Sequence, residues 1–446
     1  MQGNGMAPAK QLALPLEFPG GEPDSGKRKA LHSVQPSPWM ARVLSRDNLN
    51  RALKQVRRNK GAPGLDGMTV DELPDHLRQQ WREIRQQLLQ QTYRPQPVRR
   101  VLIPKPNGGS RPLGIPTVLD RFIQQAMAQV IQEDWEPRFH PHSYGFRPRR
   151  SAHQAVQFGQ SCARQGQSWV VDLDLAAFFD RVNHDRLMAR LKRHTPDKPM
   201  LRLINRYLKA GVQIDNQKEP TPGGVPQGGP LSPVLANVVL DELDWELERR
   251  NLHFARYADD CQIYVGSLRA GERVMVSLTR FIEDSLRLTV NTRKSAVDRP
   301  WKRSFLGFTL SRKGQRLKVA SKAIDKLKTH VRRLSRRTRG HSLFQVIAEL
   351  KETLLGWKAY FDAAEVLSPL RDLDKWIRRR MRSYVWKQWG RSGYRELRKR
   401  GVSVKLAWNT AKSAHGPWRL SRSPALAQAL PARFFRSYGL PELAAR

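Results

Sequence analysis

The chain has little cysteine and little acid. Two cysteines, Cys162 and Cys261, stand among 446 residues. That number excludes a multi-bridge disulfide framework and a Cys₄ zinc site. No apolar run reaches the roughly 18 residues that a membrane-spanning helix needs. The opening Met1-Gln2-Gly3-Asn4-Gly5 lacks the basic-then-apolar layout of a signal peptide, so a cytoplasmic location is expected. No internal repeat shows the period of a solenoid or propeller. Acid is scarce against base: 40 Asp and Glu face 80 Lys and Arg, a net charge of +40. Solubility does not require such an excess. It points to a polyanionic partner, with nucleic acid first and an anionic membrane surface second.

What is present divides the chain by character. Residues 1 to about 37 read as a flexible tail broken by Pro15, Pro19, Gly20, Gly21, Pro23 and Gly26. A helix fits Asp47 to Arg58, with Asp47 or Asn48 as its cap, and another fits Leu77 to Gln90. Strands are expected at 98–103 and 111–115, joined by the turn signal Pro106-Asn107-Gly108-Gly109-Ser110. A helix at Leu119 to Glu133 follows. Residues 169–175 read as a strand with Asp172 and Asp174 on one face. A helix at Leu235 to Arg249 precedes two short apolar-aromatic strands, 252–256 and 261–265. Beyond about Gly314 three apolar stripes run along basic helices. They begin at Ile324, Val346 and Leu370 and predict a three-helix bundle. Residues 301–400 hold 28 Lys and Arg against 8 Asp and Glu, so this bundle is expected to present a nucleic-acid face. From about Gly401, Trp408, Trp418, Phe434 and Phe435 predict a small packed or partner-ordered appendage.

The chemistry is expected at carboxylates. Asp259 and Asp260 adjoin each other at the turn between two strands, where they repel. A divalent cation removes that repulsion, and hard oxygen ligands suit Mg²⁺. Asp174 supplies a third carboxylate at a strand end. Such a set suits two Mg²⁺ ions, one activating a primer 3′-hydroxyl and one neutralising pyrophosphate. Asp172 shares a face with Asp174, and strand geometry alone leaves the two as rivals. Asp180 is expected to cap the helix that starts near Arg181-Val182-Asn183-His184.

Six segments carry a family resemblance. They are Arg111-Pro112-Leu113-Gly114-Ile115-Pro116, Tyr144-Gly145-Phe146-Arg147-Pro148, the run from Asp174 to His184, Pro226-Gln227-Gly228-Gly229-Pro230-Leu231-Ser232-Pro233, Arg256-Tyr257-Ala258-Asp259-Asp260 and Phe305-Leu306-Gly307-Phe308. In this order they resemble a group II intron reverse transcriptase, or maturase, from about residue 39 to the C-terminus. The resemblance implies an α+β right-hand polymerase with an antiparallel palm sheet, followed by an α-helical thumb. It places an N-terminal extension, fingers and palm at 39–312 after a tail at 1–38. A helical thumb follows at 313–390 and a basic nucleic-acid-binding appendage at 391–446.

The resemblance also implies roles. Asp174, Asp259 and Asp260 match the palm's metal ligands, which favours Asp174 over Asp172. Phe179 matches the aromatic that excludes a ribose 2′-hydroxyl, while one of Phe178 and Phe179 only packs. Gln227 matches a position near the incoming base and template. Lys105 and Arg111 match basic fingers residues that hold the triphosphate. Lys294 matches a lysine near the nucleotide phosphates, suited to donate a proton to pyrophosphate. Phe305, Leu306, Gly307 and Phe308 match the support for the primer end. Ala176-Ala177 replaces a more polar pair, and Cys261 replaces a larger apolar residue, but neither removes a metal ligand. Without a Cys-rich His-Asn-His region, the chain is similar to the short, endonuclease-lacking class found with bacterial group IIC introns.

The implied partners are the intron RNA, an RNA template with a DNA primer, target DNA and dNTPs, with no membrane. The implied setting is a bacterial cytoplasm, in association with nucleoid or ribonucleoprotein. The rivals are a splicing cofactor without polymerase activity, a related polymerase serving DNA repair or phage defence, and an RNA-making polymerase. Phe179 argues against the last.

Overall fold

The helix Val118–Trp135 is buried on most of its sides, with Asp120, Arg121 and Gln124 among its buried residues. Thr117 caps it, its hydroxyl accepting from the Asp120 amide at 3.1 Å. Asp120 points inward and accepts from the hydroxyls of Tyr93 at 2.7 Å and Tyr207 at 3.1 Å. Those bonds satisfy a carboxylate that burial otherwise pushes up in pKa.

This computed structural model describes residues 35–104, 109–215 and 217–445. Most of the expected tail, together with Lys105 and residues 106–108 of the expected turn, lies outside them. The described residues form two compact units. The first takes the chain through Ser151, then Asp172–Ile263 and Glu272–Ala296. The second takes Ala152–Val171, Tyr264–Gly271 and Val297 onward. Cys162 and Cys261 are both free and buried. Among the described residues no helix is long and apolar enough to cross a membrane.

In the first unit the helix Arg46–Asn59 packs on Val118–Trp135. Neither Asp47 nor Asn48 caps it: Ser45 holds that position. Asn48 instead turns inward and donates to the carbonyls of Val43 and Ala126, both at 3.0 Å. The next helix is Leu73–Leu89. It starts four residues before the expected Leu77, because Pro74 in the first turn is already set for helix. Val98–Pro104 and Ser110–Ile115 pair antiparallel, Arg99 opposite Ile115. Val98 also pairs parallel with Val212 of the short strand Val212–Ile214. His253–Tyr257 and Asp260–Val265 are hydrogen-bonded neighbours in a second sheet.

The expected cap at Asp180 is corrected. Asp180 lies inside a one-turn helix, Phe178–Arg181. The following helix, His184–His194, is capped by Asn183, whose side chain accepts from the Arg186 amide at 2.9 Å. The two helices stay separate because the Phe179 and Val182 carbonyls accept from Val225 at 2.6 Å and Gly224 at 2.8 Å instead of continuing the helix.

In the second unit the three basic stripes form helices Ser321–Leu334, Leu343–Phe361 and Ser368–Trp389. Leu327, Val331, Val346, Ile347, Leu350, Leu354, Leu373, Ile377 and Met381 are buried, each contributing on the order of 1.5–3 kcal/mol. Trp376, which the sequence puts on the apolar stripe that begins at Leu370, departs from it. It is half-buried, with the guanidiniums of Arg332 and Arg380 over its ring at 5.5 and 5.6 Å. The C-terminal residues pack in short helices around Leu397, Ala407, Leu426 and Phe435. Asp374 accepts from the amides of Leu443 at 2.9 Å and Ala444 at 3.0 Å.

Candidate active site

Asp174 follows the last residue of the strand Trp169–Leu173. Its amide donates to the Ser295 hydroxyl at 3.0 Å, and its carbonyl accepts from the Asn291 amide at 2.8 Å. The Ala176 amide donates to the Thr289 carbonyl at 2.8 Å. Residues 289–295 therefore fix the backbone on both sides of this carboxylate. The chain then turns through Ala177 at φ 49° into Phe178–Arg181. The left-handed conformation is strained for a residue with a Cβ.

A second left-handed residue carries the other carboxylates. His253–Tyr257 and Asp260–Val265 are neighbouring strands joined by Ala258 and Asp259 alone. Ala258 has φ 58°. Asp259 thus occupies the turn, whereas Asp260 is the first residue of the following strand.

The carboxylates share one electrostatic field. Burial raises the pKa of Asp259, and Asp174 adds to that, while Arg111 and Lys294 pull it down. Asp260 is pushed up to about 6 by burial and then by Asp259, Asp172 and Asp174. Such repulsion among neighbouring carboxylates, with Asp174 and Asp259 half-buried and Asp260 at the surface, favours a cation. Lys294 Nζ stands 3.4 Å from Asp174 Oδ2. That oxygen is buried without a hydrogen-bond partner. Asp172 differs, since the Gln262 amide nitrogen donates to it at 3.3 Å. Among the described residues no three acidic, imidazole or thiol groups converge closely enough to hold an ion by themselves. Mg²⁺ does not need them to, because it takes one or two carboxylates and completes its shell with water and substrate phosphates.

Two clefts share Phe179 and Gln227 in their linings. One, of about 530 Å³, is lined by Arg100, Leu113, Phe179 and residues 220–227. Another, of about 520 Å³, is lined by Gly61, Arg121, Phe146, Phe179 and residues 227–230. The Gln227 carbonyl accepts from the Gly114 amide at 2.7 Å, which ties its loop to the strand carrying Arg111. Thus Asp174, Asp259, Asp260, Arg111 and Lys294 come together, with Phe179 and Gln227 on the clefts.

Phe305–Phe308 belongs to the second unit. Phe305 and Phe308 exchange two backbone hydrogen bonds of 2.9 Å across Leu306 at φ 51° and Gly307 at φ 82°. A Cβ on Gly307 would stand 3.0 Å from the Phe361 ring, so the turn demands glycine twice over. The Tyr360 hydroxyl donates to the Leu306 carbonyl at 2.9 Å. The sequence reading missed Tyr360, Ser295 and Arg256. Only Arg256 carried a signal, as a base next to the Asp pair within a sheet.

Residues 103–310 match the family described as reverse transcriptase (RNA-dependent DNA polymerase). Residues 324–401 match the group II intron, maturase-specific domain. The chain belongs to the group II intron reverse transcriptase and maturase family. This maturase relative is 32% identical over 316 residues to Protein YkfC of Escherichia coli (strain K12), covering 62% of this chain and 81% of that one. It is 38% identical over 211 residues to the group II intron-encoded protein LtrA of Lactococcus lactis subsp. cremoris, covering 46% of this chain and 34% of LtrA. Among solved structures it is similar to a telomerase from Candida albicans, at 13% identity and a TM-score of 0.43, covering 66% of this chain and 59% of that one.

Proposed function

We propose that this reverse transcriptase adds dNTPs to a primer on an RNA template at Asp174, Asp259 and Asp260, and that it binds a group II intron RNA to assist splicing and mobility. The observation that carries the first part is the shared field of neighbouring carboxylates around an Asp174 oxygen that accepts no hydrogen bond and faces the Lys294 ammonium. Asp174, Asp259 and Asp260 would hold the ions, and Asp172, occupied by Gln262, would tune the field. Two Mg²⁺, when bound, would supply charge neutralisation at the primer 3′-oxygen and the leaving pyrophosphate.

The chain's own groups do the rest. Arg111 and Lys294 attract the triphosphate, as their effect on Asp259 supports. Lys294, two-thirds exposed at the rim, is suited to pass a proton to pyrophosphate. Phe179 faces the sugar and Gln227 the base. Lys105 keeps its triphosphate role on sequence alone. Phe305–Phe308 supports the primer end. The domain assignment at 39–312, 313–390 and 391–446 is part of this proposal.

Intron binding is supported by the maturase-domain match and by the 28 Lys and Arg among residues 301–400. Primer extension on an RNA template, with dNTPs and Mg²⁺, tests the polymerase. A Mg²⁺-dependent DNA product is expected. Its absence, with RNA binding intact, would leave a catalytically silent splicing cofactor. Activity without any intron in the flanking DNA would leave a polymerase of repair or phage defence.

A further inference from the structure

Arg256 is fully buried in the strand that leads to Asp259. Its guanidinium grips both oxygens of buried Asp244, at 2.7 and 2.6 Å. The remaining donors reach the Asn237 amide oxygen at 3.1 Å, the Ser143 hydroxyl at 2.7 Å and the Ala258 carbonyl at 2.9 Å. Thus every arm of the fork is used, and one arm ends on the turn itself. Asn237 in turn donates to the Gly145 carbonyl at 2.8 Å. The backbone of 142–144 runs along Arg256, with bonds of 3.0 Å from the Arg256 amide to the His142 carbonyl and 2.8 Å from the Tyr144 amide to the Arg256 carbonyl. Gly145 lies so close to the turn that a Cβ would overlap the Ala258 amide nitrogen.

Ala258 is held left-handed, which a short turn does not sustain unaided. Isolated burial of a guanidinium is unfavourable, and replacing such a pair by apolar groups is often neutral for stability. Stability therefore gives no reason for this pair, but placement does. We propose that Arg256, held by Asp244, is a positioning residue that sets Asp259 through the Ala258 carbonyl, so that the turn meets the ions in one geometry. This rests on the reading of Asp259 as a metal ligand. An outer group that orients a ligand typically governs 10- to 100-fold in metal affinity or activity, and about that much is expected here.

The test uses the full chain bound to an RNA template and DNA primer, with Mn²⁺ binding followed by electron paramagnetic resonance. Arg256→Lys keeps the buried cation but loses the fork. The expected result is Mn²⁺ affinity weaker by about 10- to 100-fold and a lower kcat, with template-primer affinity and the KM for dNTP unchanged. Wild-type Mn²⁺ affinity in folded Arg256→Lys overturns the proposal. If Arg256→Lys shows no cooperative thermal transition, Gly145→Ala is read in its place. It displaces the same turn without touching Asp244, and the same two outcomes decide. Asp259→Asn separates the underlying reading: it should lose Mn²⁺ affinity, and wild-type affinity there would overturn the metal-ligand reading itself.

Discussion

Phe178 and Phe179 stand edge to face with ring centroids 5.1 Å apart, yet only Phe178 is in the core. Phe179 borders both clefts. Adjacent identical residues thus have separable roles. Phe179→Ala should raise rNTP incorporation relative to dNTP while leaving the thermal midpoint nearly unchanged. Single-nucleotide incorporation kinetics check this, and unchanged selectivity would end the sugar-clash argument. Phe178→Ala should instead destabilise the fold by about 3–5 kcal/mol, as truncation of a core aromatic does.

The carboxylates should also separate. Asp174→Asn and Asp259→Asn are each expected to abolish primer extension at any Mg²⁺ concentration. Asp172→Asn, whose partner Gln262 remains, should keep measurable activity. Equal loss in all three variants would show that Asp172 is a ligand too.

Lys294 touches Asp174 from the rim, so its removal should spare the fold. Lys294→Met is expected to slow nucleotide addition by on the order of 10² or more if it transfers a proton. RNA affinity should hardly move. Rapid-quench extension at saturating dNTP measures it, and a change confined to KM would make Lys294 a phosphate-binding group only.

Binding to RNA should weaken steeply with salt. Each neutralised phosphate contributes a slope of about −0.7 on a single strand and −0.9 on a B-form DNA duplex. Filter binding across a salt series gives the total. A shallow slope would mean that the +40 charge lies away from the interface.

What could be read from the sequence was what local pattern decides. The hairpin over 98–115 and the two strands around Asp259 show as short apolar runs set off by turn signals. The three basic helices show as apolar stripes, because each buries one face. Caps were less legible. Asp180 looked like a cap until the bonds from Gly224 and Val225, over 40 residues on, stopped the helix at Arg181. The helix Ala152–Arg164 went unread because its buried face is small: Ala155, Gly159 and Ala163 give a weak apolar signal. Arg256 was hidden by composition, as one base among 80 Lys and Arg. Its place beside the Asp pair was the one local sign, and its side-chain partners Asp244, Asn237 and Ser143, 12 to 113 residues away, lie beyond local pattern.

The first unit is assembled from three stretches, and the last of them, Glu272–Ala296, holds Asn291, Lys294 and Ser295. These are the groups that clamp and charge Asp174. A nascent chain on the ribosome therefore has no fixed backbone at Asp174 until Ser295 has been made and has left the exit tunnel. A chain that ends before Asn291 lacks both partners that fix the Asp174 backbone.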